Sequence, residues 1–173
     1  FASFPVVAAA RGLALGGGCE FCLSADARVF AAELQIGLVE TAVGLIPGAS
    51  GCKEMVRRGS GDIYGVFRTI FSGRFSDNAY QGREWRLVQA EDGIHMSDER
   101  ILSVALQTGR GMAARGYQPP ERQQIRLVGS HVAEQVGQQL EADREAAKIS
   151  YHDVVVGEHL ARVLCGGGLS AAE

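Results

Sequence analysis

Ala14-Leu15-Gly16-Gly17-Gly18-Cys19-Glu20, followed by Glu40 and then Leu45-Ile46-Pro47-Gly48, is the stretch that decides how this chain folds. Just upstream, Pro5-Val6-Val7-Ala8-Ala9-Ala10 is an unbroken apolar run, the pattern of a strand buried on both faces. The glycines stop that run. Without a Cβ they let the chain turn sharply and leave amide N–H groups unshielded. Cys19 to Ser24 then reads as a short helix. At a helix start such donors face an anion or a developing oxyanion, and the helix dipole has the right sign. A purely steric turn explains the glycines as well. The contiguous triplet is not the spaced dinucleotide fingerprint, and no P-loop lysine follows it.

Two carboxylates stand near this turn in sequence. Glu20 falls in the first turn of an otherwise apolar helix, where the helix N-terminus stabilises a negative charge and burial opposes it. In isolation it reads as a helix-start acid touching water. Glu40 lies in Ile36-Gly37-Leu38-Val39-Glu40-Thr41-Ala42-Val43-Gly44, where a lone acid is either an ion-pair partner or functional. Together they suggest more, because two carboxylates beside one pocket can hold a water, one accepting its proton while the other delivers a proton elsewhere.

The remaining reactive side chains give weaker signals. Cys19 and Cys22 have redox-motif spacing, but no second pair or histidine lies nearby, so they read with Cys52 and Cys165 as small buried hydrophobes. His95, His131, His152 and His159 lack metal-ligand spacing. His152 and His159 share the last helix and read as surface residues. No metal site is expected, and neither a GxSxG elbow nor an HExxH pair is present.

Composition sets outer bounds. The 173 residues are 46% apolar and carry 17 basic and 20 acidic side chains, a net charge of -3. That argues against disorder, and the lack of a basic stripe argues against nucleic acid. No apolar run reaches the ~20 residues of a bilayer span, and no basic leader with a cleavage context opens the chain. A soluble, cytoplasmic protein is the expectation.

Along the chain the patterning predicts strands at Ala27–Ala31 and at 33–37, and a turn at 45–48. Helices follow: Ser50 caps one through Arg58, and another covers 62–70. Residues 1–60 hold 10 charged side chains and 61–173 hold 27, so the second part has more solvated helix face. There a brief helix at 77–81, a short strand at 86–89 and a helix from Ser97 to Arg115 ended by Gly116 are expected. Pro119-Pro120 reads as an extended connector. A surface helix spans 132–148. The last helix, capped by Ser150, presents Val154, Val155, His159, Leu160, Val163 and Leu164 as one face and stops at Gly166-Gly167-Gly168.

The segments Val6–Glu20, Asp26-Ala27-Arg28, Ile36–Glu40 and Gly44–Gly51 match, in order and spacing, the signature of the enoyl-CoA hydratase/isomerase (crotonase) family, which this chain resembles. Gly51-Cys52-Lys53-Glu54 and Leu160–Gly167 resemble the subgroup in which a hydratase domain is joined to a 3-hydroxyacyl-CoA dehydrogenase. The resemblance implies an α/β spiral of strand-strand-helix units, truncated at the N-terminus because the family's first units precede the Pro5 strand. Its division would be a partial core over 1–118 and a helical region over 119–173, packed on that core or on a neighbouring subunit.

The resemblance further implies hydration of trans-2-enoyl-CoA, with Glu20 and Glu40 as the acid/base pair and the Gly17 amide as one of two oxyanion donors. Leu15, Gly16, Gly18, Pro47 and Gly48 would complete the substrate-binding wall. Isomerisation by Glu40 alone, or a catalytically incomplete structural fragment, are the alternatives. No cofactor is implied for the hydratase step; the substrate carries coenzyme A, and NAD would serve only a separate dehydrogenase domain. A homo-oligomer, either a trimer or a dimer of trimers, is expected. The segment 75–93 departs from the family pattern, with Arg83-Glu84-Trp85-Arg86 where a small, alanine-rich helix is usual.

Overall fold

The computed structural model describes residues 2–121 and 124–167. They fall into two compact units. One takes the residues up to 37 together with 75–124; the other takes 38–74 together with the residues from 125 onward. The strands are β1 (Val7–Ala10), β2 (Leu13–Leu15), β3 (Ala27–Ala31), β4 (Gln35–Gly37) and β5 (Gly93–His95). The helices are α1 (Gly17–Ser24), α2 (Gly51–Arg58), α3 (Ile63–Phe71), α4 (Ala79–Glu84), α5 (Ile101–Ala114), α6 (Ser130–Glu145) and α7 (Tyr151–Leu164). Among the described residues no helix is long and apolar enough to cross a membrane.

The first unit is built on parallel pairing. β1, β3 and β5 form one sheet in that order, while β2 and β4 form a second ladder. Val7 pairs with Ala27 in the first ladder and Leu13 with Gln35 in the second. Each strand-strand pair therefore adds one strand to each ladder before the chain returns, which is the strand-strand-helix spiral that the family resemblance implies. The strand expected at Pro5–Ala10 does lie beside Ala27–Ala31, with its paired residues beginning at Val7.

Burial explains why these segments are strands. Val29, Phe30 and Ala31 are all buried in succession, as in a parallel strand covered on both faces. α5 covers one face: Ile101 and Ala105, one turn apart, pack with Val29 and Ala31, and Val7 and Val104 close the edge of that cluster.

The expected strand at 86–89 is absent. The Leu87 and Val88 amides both donate to the Gly82 carbonyl, at 3.0 and 3.1 Å, and Arg86 takes a left-handed φ of 63°. The segment coils back on α4, which buries Leu87 and Val88 by a turn rather than by alternation. β5 supplies the third strand instead, Val29 pairing with Gly93. Arg28 ties this region to β3. Its Nε donates to Asp92 Oδ1 at 2.5 Å and its Nη1 to the Ala25 carbonyl at 2.7 Å, with both side chains of the ion pair buried. Asp92 Oδ2 accepts the Gln89 amide at 2.7 Å.

The second unit is helical, with α2, α3 and α6 packed on α7. Ser50 holds the N-cap position of α2, but the expected side-chain capping bond is not made. Its φ of -167° and ψ of -6° lie outside the extended geometry that aims a capping oxygen at the first helical amides. Asp62, expected inside a helix, instead caps α3 by accepting the Gly65 amide at 2.9 Å. Ser150 caps α7 as expected, in a reciprocal box with Asp153.

The buried face of α7 differs from the expected one. It consists of Val154, Val156, Gly157, Leu160, Ala161 and Leu164, while His159 and Val163 are exposed and Val155 is half-buried. Small residues turn the helix this way: a Cβ on Gly157 would sit 2.6 Å from Leu140 Cδ1 and 3.0 Å from Phe71 Cε2. The helix expected at 132–148 runs from Ser130 to Glu145 and buries Val136 and Leu140. Gly166 and Gly167 follow α7 with left-handed φ values of 98° and 72°; Gly168 lies outside the described residues.

Breaking one partner of a buried ion pair strands the other charge, so Arg28→Ala or Asp92→Ala should each destabilise the protein by about 3–5 kcal/mol. The double replacement Arg28→Met with Asp92→Leu should cost far less than the sum, and urea unfolding of the four proteins measures this.

Candidate active site

The glycine triplet sits at the junction of β2 and α1. Gly16 is the N-cap of α1 with φ 53° and ψ -123°, a conformation open only to glycine. Its amide donates to the Gly37 carbonyl at 2.9 Å, carrying the β2–β4 ladder directly into the turn. The Glu20 amide donates to the Gly16 carbonyl at 3.0 Å and closes the first helical turn. The Gly17 and Gly18 amides precede that bond, at positions where helical N–H groups have no partner within the helix.

These three glycines are required for different reasons. Gly16 is a backbone requirement, so the steric-turn reading holds there. Gly17 and Gly18 lie inside the helix, are exposed, and a Cβ on either would meet nothing within 4 Å. Packing does not exclude a side chain at either position, and glycine in a helix costs roughly 1 kcal/mol against alanine. What glycine supplies there is an open α-face through which a flat group can approach the amides.

Glu20 is 5% exposed and shares the buried side of α1 with Cys19, Cys22 and Leu23. The reading of a helix-start acid touching water therefore does not hold. Phe21, on the other side of α1, is 83% exposed. Leu15, the last residue of β2, is half-buried beside Gly16. The strand-turn-helix thus brings Leu15, Gly16, Gly17, Gly18 and Glu20 onto one local frame.

Glu40, Pro47 and Gly48 belong to the second unit. Glu40 opens a 3-10 turn over Glu40–Val43, and its Oε2 atom is buried. Gly44 ends the turn with a left-handed φ of 77°. The Gly44 amide donates to Thr41 O at 3.1 Å and the Leu45 amide to Glu40 O at 3.0 Å. Thr41 Oγ1 donates to the Ile70 carbonyl at 2.9 Å. Pro47 is buried, with its carbonyl accepting the Cys52 thiol at 3.5 Å. Gly48 is exposed, and like Gly17 and Gly18 it has an open α-face. Val43 and Leu45, on either side of Gly44, leave large apolar side chains in solvent. Leu45 belongs to the turn expected at 45–48, but the exposure of this apolar pair is not evident from the sequence.

α2 follows this segment and carries Glu54. Burial pushes its carboxyl up, yet the hydrogen bonds and charges of Arg57 and Lys53 together hold it below the usual glutamate value. All four cysteines are free thiols and buried. Among the described residues no group of three or more His, Cys, Asp or Glu is placed to hold a metal ion.

Comparison with known proteins agrees with this geometry. Residues 2–63, which contain both glutamates and both glycine turns, match the sequence model described as enoyl-CoA hydratase/isomerase. Over this stretch the chain is similar to the enoyl-CoA hydratase/isomerase family. It is 34% identical over 176 residues to a Bacillus subtilis protein named "Probable 3-hydroxyacyl-CoA dehydrogenase", an alignment covering 96% of this chain and 22% of that protein. It is 31% identical over 170 residues to the peroxisomal fatty acid beta-oxidation multifunctional protein of Oryza sativa subsp. japonica, covering 94% of this chain and 22% of the other.

Among solved structures, the enoyl-CoA hydratase of Bacillus anthracis superposes with a TM-score of 0.54 at 26% identity, over 92% of this chain and 53% of that one. The fold of the chain is the crotonase spiral. The chain spans about a fifth of the length of these two curated relatives and about half that of the solved enzyme.

Two outcomes follow from this geometry. Gly16→Ala forces a side chain into a glycine-only conformation and should lower stability by about 1–3 kcal/mol, whereas Gly17→Ala should be neutral to stabilising in the same thermal unfolding measurement. Glu54, whose carboxyl is depressed in the fold, should stabilise relative to Glu54→Gln above the ordinary glutamate pKa of about 4.3. That advantage should vanish as pH falls through the lower folded value, which unfolding of both proteins across acid pH will show.

Proposed function

We propose that this chain carries an enoyl-CoA hydratase site, adding water reversibly to trans-2-enoyl-CoA to give 3-hydroxyacyl-CoA in fatty acid beta-oxidation. The observation that carries the reading is Glu20, buried in the first turn of α1 two residues after a pair of glycines whose α-faces are open. Hydration by two carboxylates gives this buried acid a chemical role beside the glycine turn, which isomerisation by Glu40 alone would not.

In the proposed reaction the Gly17 amide donates to the thioester carbonyl and, as the C2–C3 π electrons move toward it, stabilises the enolate oxygen. One carboxylate takes a proton from water as the water oxygen bonds to C3. The other, protonated, delivers a proton to C2, and the enolate returns to the thioester. Leu15, Gly16, Gly18, Pro47 and Gly48 are assigned to the binding wall.

Under this proposal the step uses no metal and no bound cofactor. Coenzyme A arrives as part of the substrate, and NAD belongs only to a dehydrogenase domain such as the Bacillus subtilis relative's name indicates. The reading extends to a cytoplasmic homo-oligomer, a trimer or dimer of trimers, assembled through the helical region.

The test is loss of the crotonyl-CoA chromophore, followed with the whole protein that contains this chain. Glu20→Gln and Glu40→Gln should each lower turnover roughly 100- to 10,000-fold with little change in KM. Full hydration by Glu20→Gln together with none by Glu40→Gln would replace this scheme with the single-glutamate isomerase. A wild-type protein that neither hydrates nor isomerises enoyl-CoA would leave a structural role.

A further inference from the structure

We propose that His152, at the start of α7, is a positioning residue for Glu40: its imidazole packs on Gly44 and holds closed the turn that carries the carboxylate. The inference deepens the hydratase reading and rests on Glu40 acting in it.

A Cβ placed on Gly44 would lie 2.7 Å from His152 Nε2 and 3.3 Å from its Cδ2, so the ring edge occupies the space where a side chain would stand. His152 is exposed and is not part of the hydrophobic core. Its place is nevertheless well determined. It is the second residue of α7, inside the turn fixed by the Ser150–Asp153 box, in which the Ser150 amide donates to Asp153 Oδ2 at 2.8 Å and the Asp153 amide to Ser150 Oγ at 3.2 Å.

The turn over Glu40–Val43 needs such support. Four residues of 3-10 helix form few internal bonds and do not persist alone. Ala42, Val43 and Leu45 are exposed and give the turn no core to rest on. Three contacts from elsewhere in the same unit hold it: Thr41 Oγ1 on the Ile70 carbonyl, the left-handed Gly73 close against the Ala42 amide and Thr41 Oγ1, and His152 on Gly44.

The first two contacts brace the middle of the turn, and His152 alone of the three braces its end. The end is where the Gly44 amide to Thr41 O and Leu45 amide to Glu40 O bonds close the loop around Glu40. Gly44 is free to leave its left-handed conformation. Removing the ring would release it, open those two bonds, and unfix the backbone from which the Glu40 side chain projects. Catalytic groups displaced by an ångström lose turnover far more than they lose binding.

The experiment compares wild type, His152→Ala and His152→Phe in the whole protein by amide hydrogen exchange and by crotonyl-CoA kinetics. His152→Ala should speed exchange of the Gly44 and Leu45 amides about tenfold or more, leaving the α3 amides unchanged. It should lower kcat about tenfold or more with KM within about twofold. His152→Phe, which keeps a planar ring, should recover most of both. Unchanged Gly44 and Leu45 exchange in His152→Ala would overturn the proposal, as would accelerated exchange with an unchanged kcat in an active enzyme. If His152→Ala fails to fold, Phe and Gln replacements decide, because Phe should keep the two amides protected and Gln should not. If the wild type shows no hydration, the hydratase reading falls, while local exchange at 44 and 45 still decides whether His152 holds the turn.

Discussion

The hydrogen bond from the Gly16 amide to the Gly37 carbonyl is the constraint on which the first unit turns. It is the continuation of the Leu13–Gln35 and Leu15–Gly37 register past the end of β2. Because it is a ladder bond, it fixes the angle at which the chain leaves the strand. Because its donor is a glycine at positive φ, the chain can leave sharply enough for a helix to start at once. The direction of α1, the exposure of its first amides and the burial of Glu20 all follow from that single junction. A slip of one residue in the ladder would turn every side chain of the strand to the other face and move the helix start with it.

Glu20 and Glu40 share a setting and differ in how it is secured. Each is the acid of the first turn of a helical segment, where backbone N–H dipoles favour negative charge. That is the cheapest place in a fold to bury a carboxylate. Glu20 has an eight-residue helix behind it and a strand ladder in front, so its position is set by regular structure. Glu40 rests on four residues with exposed apolar neighbours, so its position is set by side chains and glycines brought from far along the sequence.

That contrast also explains which features could be read from the sequence. The apolar run at 5–10, the glycine break and the helix after it were legible because strand, turn and helix there are each determined by neighbouring residues. Ala27–Ala31 was legible for the same reason, down to its limits. Where the outcome depended on distant residues, local patterning failed. Leu87-Val88 has the composition of a short strand, but the Gly82 carbonyl captures both amides and leaves the pairing to β5. The face of α7 is rotated because Gly157 admits Leu140 and Phe71, a preference that no window within α7 contains. His152 read as a surface residue, and by exposure it is one; only its contact with Gly44, more than a hundred positions away, distinguishes it. The chain shows no internal sequence repeat, although its strand pairs repeat on two ladders, because parallel pairing constrains spacing and apolarity rather than residue identity.

The glycines give the clearest separation of folding from function. A glycine that folding needs shows a forbidden φ or a crowded Cβ: Gly16 by the first criterion, Gly157 by the second, Gly44 by both. Gly17, Gly18 and Gly48 meet neither criterion. In Gly17 and Gly18 the fold accepts roughly 1 kcal/mol of helix destabilisation apiece without a structural return. Such residues break a local rule with no compensation inside the chain, and sites of that kind are where function overrides stability. Gly17 and Gly18 precede Glu20 by three and two residues, and Gly48 follows Glu40 by eight. The surplus glycines and the costly acids therefore mark the same two places in the sequence, although one class was identified by empty space and the other by charge.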